Sequence, residues 1–242
     1  MKNLTMFDTD CWNMFFNPGE VVEIRFLKAR GTLPFTTESV RSTTLTGYFD
    51  NHQDFCKHVE AAFESLIYDG CYFSLQVIDR RLLARAFNRL KIATVTTSDK
   101  NTLFYRWLPL DFDPVRPADI SSSDKELKNA LDLRDTVANW MTQSLGFSLP
   151  IRAMSGNGGH LLFRLPDLPV SPESISFIKN TLAGLATRFD TDTVKIDRSV
   201  YNPSRIWKLY GSIARKGDHL PAGPTRESRP HRASHIEYAG GN

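Results

Sequence analysis

The sequence predicts an α+β protein: a smaller α/β lobe over residues 1–100, then a lobe over residues 101–242 with a mostly antiparallel sheet and helices on one face. The two form one integrated domain. Three observations carry this expectation. Apolar periodicity switches between 2 and 3.6 along the chain, the second half runs strand, helix, two strands around a glycine turn, helix, strand, and no repeat or low-complexity block interrupts the order. With 242 residues, 41% hydrophobic and 24% charged, the chain has enough apolar material for a buried core, which excludes a disordered polymer. No apolar run approaches the roughly 18 residues that cross a bilayer. The opening MKNLTMFDTDCW carries acids where a signal peptide is apolar. A soluble, cytoplasmic protein without a membrane partner is expected. Cys11, Cys56 and Cys71 are odd in number and lack CxxC spacing, which supports neither a disulfide framework nor a zinc ribbon.

In chain order, GEVVEIRFLKA alternates and predicts a strand over Gly19–Ala29. GYFD leads into NHQDFCKHVEAAFESLIYDG, where Phe55, Val59, Phe63 and Leu66 recur at helical spacing until Gly70. CYFSLQVID reads as a second strand and RRLLARAFNRL as a short basic helix. TLFYRWLPLDFD reads as a third strand, ended by Pro114 and Pro117. Ser123 with Glu126 three residues on forms a capping box for a long amphipathic helix carrying Leu127, Leu131, Val137, Trp140 and Met141 and stopped at Gly146. IRAM and HLLFRL flank SGNGG as a hairpin, PESISFIKNTLAGLATRFD predicts another helix, and strands follow at VKID and within NPSRIWKLYGS. This order is that of an RNA-recognition-motif-like sandwich.

Three stretches carry chemistry. In LDFD, Asp111 and Asp113 lie two apart on a strand, so both carboxylates share a face, as hard oxygen ligands for a divalent cation do. Alone, Asp-x-Asp also arises at strand ends by chance, and Asp197 in KIDRSV reads equally as a turn residue or an ion-pair partner of Arg198. The turn from Ser155 to His160 (SGNGGH) offers backbone amides free of Cβ atoms, donors from Ser155 and Asn157, and an imidazole: a phosphate cradle, or else a flexible hairpin before a structural histidine. No Gly-Lys-Ser/Thr follows, which rules out a P-loop. From Lys195 to His235, nine Lys or Arg face three acids, a stretch suited to phosphate or simply solvated.

Together these stretches resemble the three motifs of the archaeo-eukaryotic primase superfamily, in particular the primase-polymerase domains of phages, plasmids and other mobile elements. The resemblance covers most of the chain. The first motif, hDhD, is similar to Leu110-Asp111-Phe112-Asp113; the second, a Ser/Gly-rich turn ending in histidine, to Ser155–His160; the third, a hydrophobic residue with Asp, to Ile196-Asp197. DFDPVRP and NPSRIWKLYGSIARKG resemble the mobile-element branch. A zinc cluster of the kind several primases carry is missing from the sequence, and no helicase follows.

The resemblance implies the archaeo-eukaryotic primase fold and template-directed nucleotidyl transfer from nucleoside triphosphates on a single-stranded DNA template and primer, in DNA replication. It implies two Mg²⁺ or Mn²⁺ ions on Asp111, Asp113 and Asp197. Nucleotide binding falls to Ser155, Gly156, Asn157, Gly158 and His160 with Asn202, Arg205 and Lys208; template binding falls to Arg215, Lys216, Arg226, Arg229 and Arg232. Tyr201, Trp207 or Tyr210 would stack on a base, or belong to the core. A helicase or further domain outside this chain is the implied partner. Two alternatives stand: a non-catalytic replication-initiator-type binding module of the same fold, which needs no carboxylate trio, and a glycosyltransferase, which leaves the histidine turn and basic stretch unexplained.

Overall fold

The computed structural model describes residues 3–224 and 226–238. It is a mixed α+β structure with two six-stranded antiparallel sheets and a small two-stranded one. After α1 (Thr9–Phe15), β1 (Val22–Thr32) and β2 (Ser39–Phe49) pair from Val22↔Phe49 to Thr32↔Ser39. α2 (His52–Ser65) starts where the Asn51 side chain accepts from Asp54 N, and buries Phe55, Val59 and Ala62. Then come β3 (Leu66–Ile67), β4 (Gly70–Ser74), β5 (Val77–Ile78), a 3₁₀ helix (Arg80–Arg85) and β6 (Leu90–Ile92).

The second half begins with β7 (Thr102–Pro114) and α3 (Asp124–Leu145), whose capping box is the Ser123–Glu126 pair expected and whose end is Gly146 at φ 72°. β8 (Ile151–Met154), β9 (Gly159–Pro169), α4 (Pro172–Phe189) and β10 (Val194–Ile196) follow. β11 (Ile206–Lys208), β12 (Ile213–Ala214), β13 (Arg232–Ala233) and β14 (His235–Tyr238) complete the strands.

The second sheet has the order β10-β7-β9-β8-β14. Its β7-α3-β8-β9-α4-β10 run is therefore a split β-α-β-β-α-β unit with β7 and β9 central. α3 lies against the face bearing Gly159, where an added Cβ would sit 3.1–3.2 Å from the Arg134 side chain. Asp111 and His160 are cross-strand neighbours and point to the other face. The first sheet has the order β11-β4-β1-β2-β6. One apolar core joins both sheets: the Phe15 ring lies 5.4 Å from Phe73 on β4 and 5.3 Å from Trp107 on β7.

Four expectations change. CYFSLQVID is not one strand, because the Gln76 side chain replaces a rung of the ladder: it accepts from Arg106 N at 2.8 Å and Trp107 N at 3.1 Å and donates to Trp107 O at 2.9 Å. β5 thereby joins β7 in the second sheet. RRLLARAFNRL is only a six-residue 3₁₀ helix, Arg80–Arg85, before a strand, since Tyr48 captures Ala86 O and Asn88 N and ends the helix. β2 begins eight residues before GYFD; its alternation is obscured by the polar Thr46, whose hydroxyl donates to buried Glu23 at 2.7 Å. Finally, β11 pairs with β4, so residues 206–208 belong to the first sheet and the division at residue 100 does not separate the two sheets.

Candidate functional site

The face of the second sheet turned away from α3 carries the acids. Phe112 is buried between Asp111 and Asp113, which fixes both carboxylates on the opposite side of β7. β10 aligns with β7 up to Ile196↔Phe112, and Asp197 N then donates to Asp111 O at 2.9 Å, bringing a third acid alongside. One carboxylate oxygen from each of Asp111, Asp113 and Asp197 lies within 4.8 Å of the others. Asp197 is oriented by Ser199, whose N and Oγ donate to it at 2.7 and 3.0 Å.

Such crowding disfavours full ionisation. The Asp111 charge first, and desolvation second, push the Asp113 carboxyl well above the ordinary range, against the opposing pull of Arg116 and Lys216. Arg116 Nη1 stands 3.9 Å from Asp113 Oδ1 and offsets only part of the cluster's charge. Three hard oxygen donors whose negative charge is only partly compensated fit a divalent cation such as Mg²⁺ or Mn²⁺.

The acids line a cleft of about 320 Å³ between the two sheets. Its far wall is the first sheet: Leu27 on β1, Tyr72 on β4 and Lys208 on β11. Lys208 is 6% exposed, and Nζ donates to Ile213 O at 3.1 Å and lies 5.4 Å from the Tyr72 ring centre. Burial pulls its pKa down to about 8. A buried ammonium held by one carbonyl and a ring face is a cation awaiting an anion. Arg205 and Lys216 also line the cleft; the Arg205 guanidinium donates to Ser199 O, and its Nε is buried without a partner.

No protein-family model matches the chain, and no curated protein matches it. The site therefore rests on its own geometry.

Of the residues expected from sequence, Asp111, Asp113, Asp197, Ser155, Asn157, His160, Arg205, Lys208 and Lys216 line this one cleft. Others do not. Asn202 lies outside it, its Nδ2 donating to Ser204 Oγ at 3.4 Å. The glycine amides are not free to cradle a phosphate: Gly156 N donates to Met154 Sδ at 2.8 Å and Gly158 N to Ser155 Oγ at 3.0 Å. Asn157 Oδ1 accepts from Ser122 N at 3.0 Å, which ties the turn to the start of α3. The glycines serve close approach instead. A Cβ on Gly158 would lie 2.3 Å from Phe112 O, and one on Gly156, at φ 106°, would lie 2.4 Å from Ala214 Cβ.

The C-terminal arginines also depart from their expected template role. Arg229 pairs with Glu126 through two contacts of 2.7 and 2.8 Å, and Arg232 Nη2 donates to Asp124 at 2.6 Å. Both are consumed by acids in the first turn of α3. Arg226 donates Nε to Pro221 O at 3.2 Å, and Arg215 packs 4.7 Å from the Tyr68 ring centre. Of the candidate stacking aromatics, Trp207 and Tyr210 are buried, and Tyr201 is half-buried under Lys179. The sequence reading missed Tyr72, Leu27, Asp69 and Arg116 among the lining residues. Only Arg116 left a signal, three residues after Asp113 in DFDPVRP; the others come from a lobe to which no chemistry was assigned.

Proposed function

We propose that this chain is a template-directed nucleotidyltransferase, a DNA primase-polymerase that joins nucleoside triphosphates on single-stranded DNA. The observation that carries the reading is the pairing, across one cleft, of the Asp111, Asp113 and Asp197 trio with the buried Lys208, which has no anionic partner among the described residues. A nucleoside triphosphate with its divalent cation matches both halves: hard oxygen ligands for the metal and a desolvated cation for the phosphates. Two Mg²⁺ or Mn²⁺ ions held by the trio would lower the barrier to attack by a primer 3′-hydroxyl and stabilise the departing pyrophosphate. Lys208 and Arg205 would bind the triphosphate from the opposite wall, and His160 would donate to a phosphate oxygen from the floor. Arg116 and Lys216 at the rim would hold a strand phosphate. Catalysis of this kind is positioning and charge neutralisation.

The test is synthesis of labelled primers on single-stranded DNA with Mn²⁺ or Mg²⁺ and nucleoside triphosphates. Template-dependent products that vanish in Asp111→Asn support the reading. Nucleotide and DNA binding without incorporation would favour a non-catalytic initiator-type module.

A further inference from the structure

His160 is 3% exposed and touches two groups through its two ring nitrogens. Nε2 lies 3.5 Å from Asp111 Oδ1, and Nδ1 lies 3.0 Å from Tyr210 Oη. Tyr210 is fully buried, and its hydroxyl has a second neighbour, Trp207 Nε1, at 2.8 Å. An indole N–H only donates. The Tyr210 oxygen therefore accepts from Trp207, and its single hydrogen is free for His160 Nδ1.

The opposite arrangement is disfavoured twice. With the proton on Nδ1, the Tyr210 oxygen would receive two donors while its own hydrogen had no acceptor among the described residues. The bare Nε2 lone pair would also face the Asp111 carboxylate. Burial pushes the Tyr210 pKa far up, so the phenol stays a donor at any physiological pH. The Trp207 ring, 4.2 Å from the imidazole centre, holds the plane of His160.

We propose that Tyr210 and Trp207 are positioning residues that fix His160 as its Nε2–H tautomer, so that the histidine meets its ligand as a hydrogen-bond donor to an anion and not as a metal-coordinating lone pair. The functional half of this proposal rests on the nucleotidyl-transfer reading; the tautomer half does not. Trp207 and Tyr210 lie on and just after β11, the strand that the second half of the chain sends into the first sheet, and Leu209 N anchors the segment to Cys71 O at 3.0 Å. The same strand thus carries Lys208 to the cleft wall and the clamp to the cleft floor.

The experiment uses the full chain with ¹⁵N-labelled histidine. Long-range ¹H–¹⁵N correlation without nucleotide is expected to show His160 in the Nε2–H form. Tyr210→Phe keeps the ring and removes the hydroxyl; it is expected to give a mixture of tautomers and a KM for nucleoside triphosphate raised on the order of tenfold, with kcat changed much less and Mn²⁺ affinity unchanged. Trp207→Phe is expected to move both readouts in the same direction, less far. An Nδ1–H ring in the wild type would overturn the proposal without any variant. So would a Tyr210→Phe chain that keeps both the pure Nε2–H form and the wild-type KM. A wild type that incorporates no nucleotide but shows the Nε2–H ring, lost in Tyr210→Phe, would sustain the clamp and sink the polymerase reading.

Discussion

Replacing Asp113 by asparagine should make the protein more stable and inactive at once. The three carboxylates lie within 4.8 Å of one another, and at that distance each like-charge pair costs about 0.9 kcal/mol under water-like screening and about 3.5 kcal/mol at an effective dielectric near 20. The Asp113 side chain is 53% exposed and has Arg116 at 3.9 Å, so the lower end applies, and the net relief is about 1–2 kcal/mol. For a chain of this length that raises Tm by roughly 2–8 °C. Because the folded Asp113 carboxyl titrates above its unfolded value, the wild type loses stability as pH rises from about 4 through the raised pKa. The gain from Asp113→Asn should therefore be absent near pH 4 and full above neutrality. Thermal unfolding in a chelator at several pH values measures this, and a Mn²⁺ titration supplies the converse: the wild type should rise by about 2.7 kcal/mol at a hundredfold excess over Kd, and the variant far less. A variant that melts lower than wild type in chelator, or gains as much from Mn²⁺, would refute the metal-site reasoning.

Three further outcomes follow from the site's surroundings. Lys208→Met should stabilise the chain by up to about 3 kcal/mol below pH 8, because the folded lysine deprotonates near 8 and the unfolded one near 10.5; wild-type stability should rise with pH across that window and the variant's should not, as denaturant unfolding at pH 7–10 will show. Nucleotide affinity of the wild type should fall above pH 8, and titration calorimetry of Lys208→Met should find weak binding at every pH. Arg229→Ala should cost about 1–3 kcal/mol by leaving Glu126 without its two-contact partner, while the salt dependence of single-stranded DNA binding stays unchanged; a flattened log-log slope would return Arg229 to the template. Gly158→Ala should cost more than about 2 kcal/mol and abolish incorporation, since its Cβ would press on Phe112 O between Asp111 and Asp113; a stable, active variant would show that the turn yields.

What was legible in the sequence is what neighbours in the chain decide. The LDFD acids share a face because a strand alternates, the Ser123–Glu126 box needs only one helical turn, and the SGNGG hairpin needs only its own glycines. What escaped depends on partners far along the chain. Nothing near Arg229 or Arg232 announces that the first turn of α3 will take them, so they read as a free basic tail. Lys208 lines the cleft, but its home beside Tyr72 follows from β11 crossing to β4, which no local pattern encodes. The amides of Gly156 and Gly158 looked available because a sequence does not show that Met154 and Ser155 fold back onto them.

The crossing of β5 and β11 between the sheets also bears on how the chain is made. A nascent chain that ends before residue 206 has β4 paired with β1 on one side and open on the other, so the first lobe leaves the ribosome with a bare edge flanking Tyr72. That edge is closed only when residues 206–208 have emerged, because the strand that covers it comes after both long helices. The far wall of the cleft is therefore completed only after β11 has emerged, although the acid trio is already in the chain by Asp197, and until then the open edge invites chaperones.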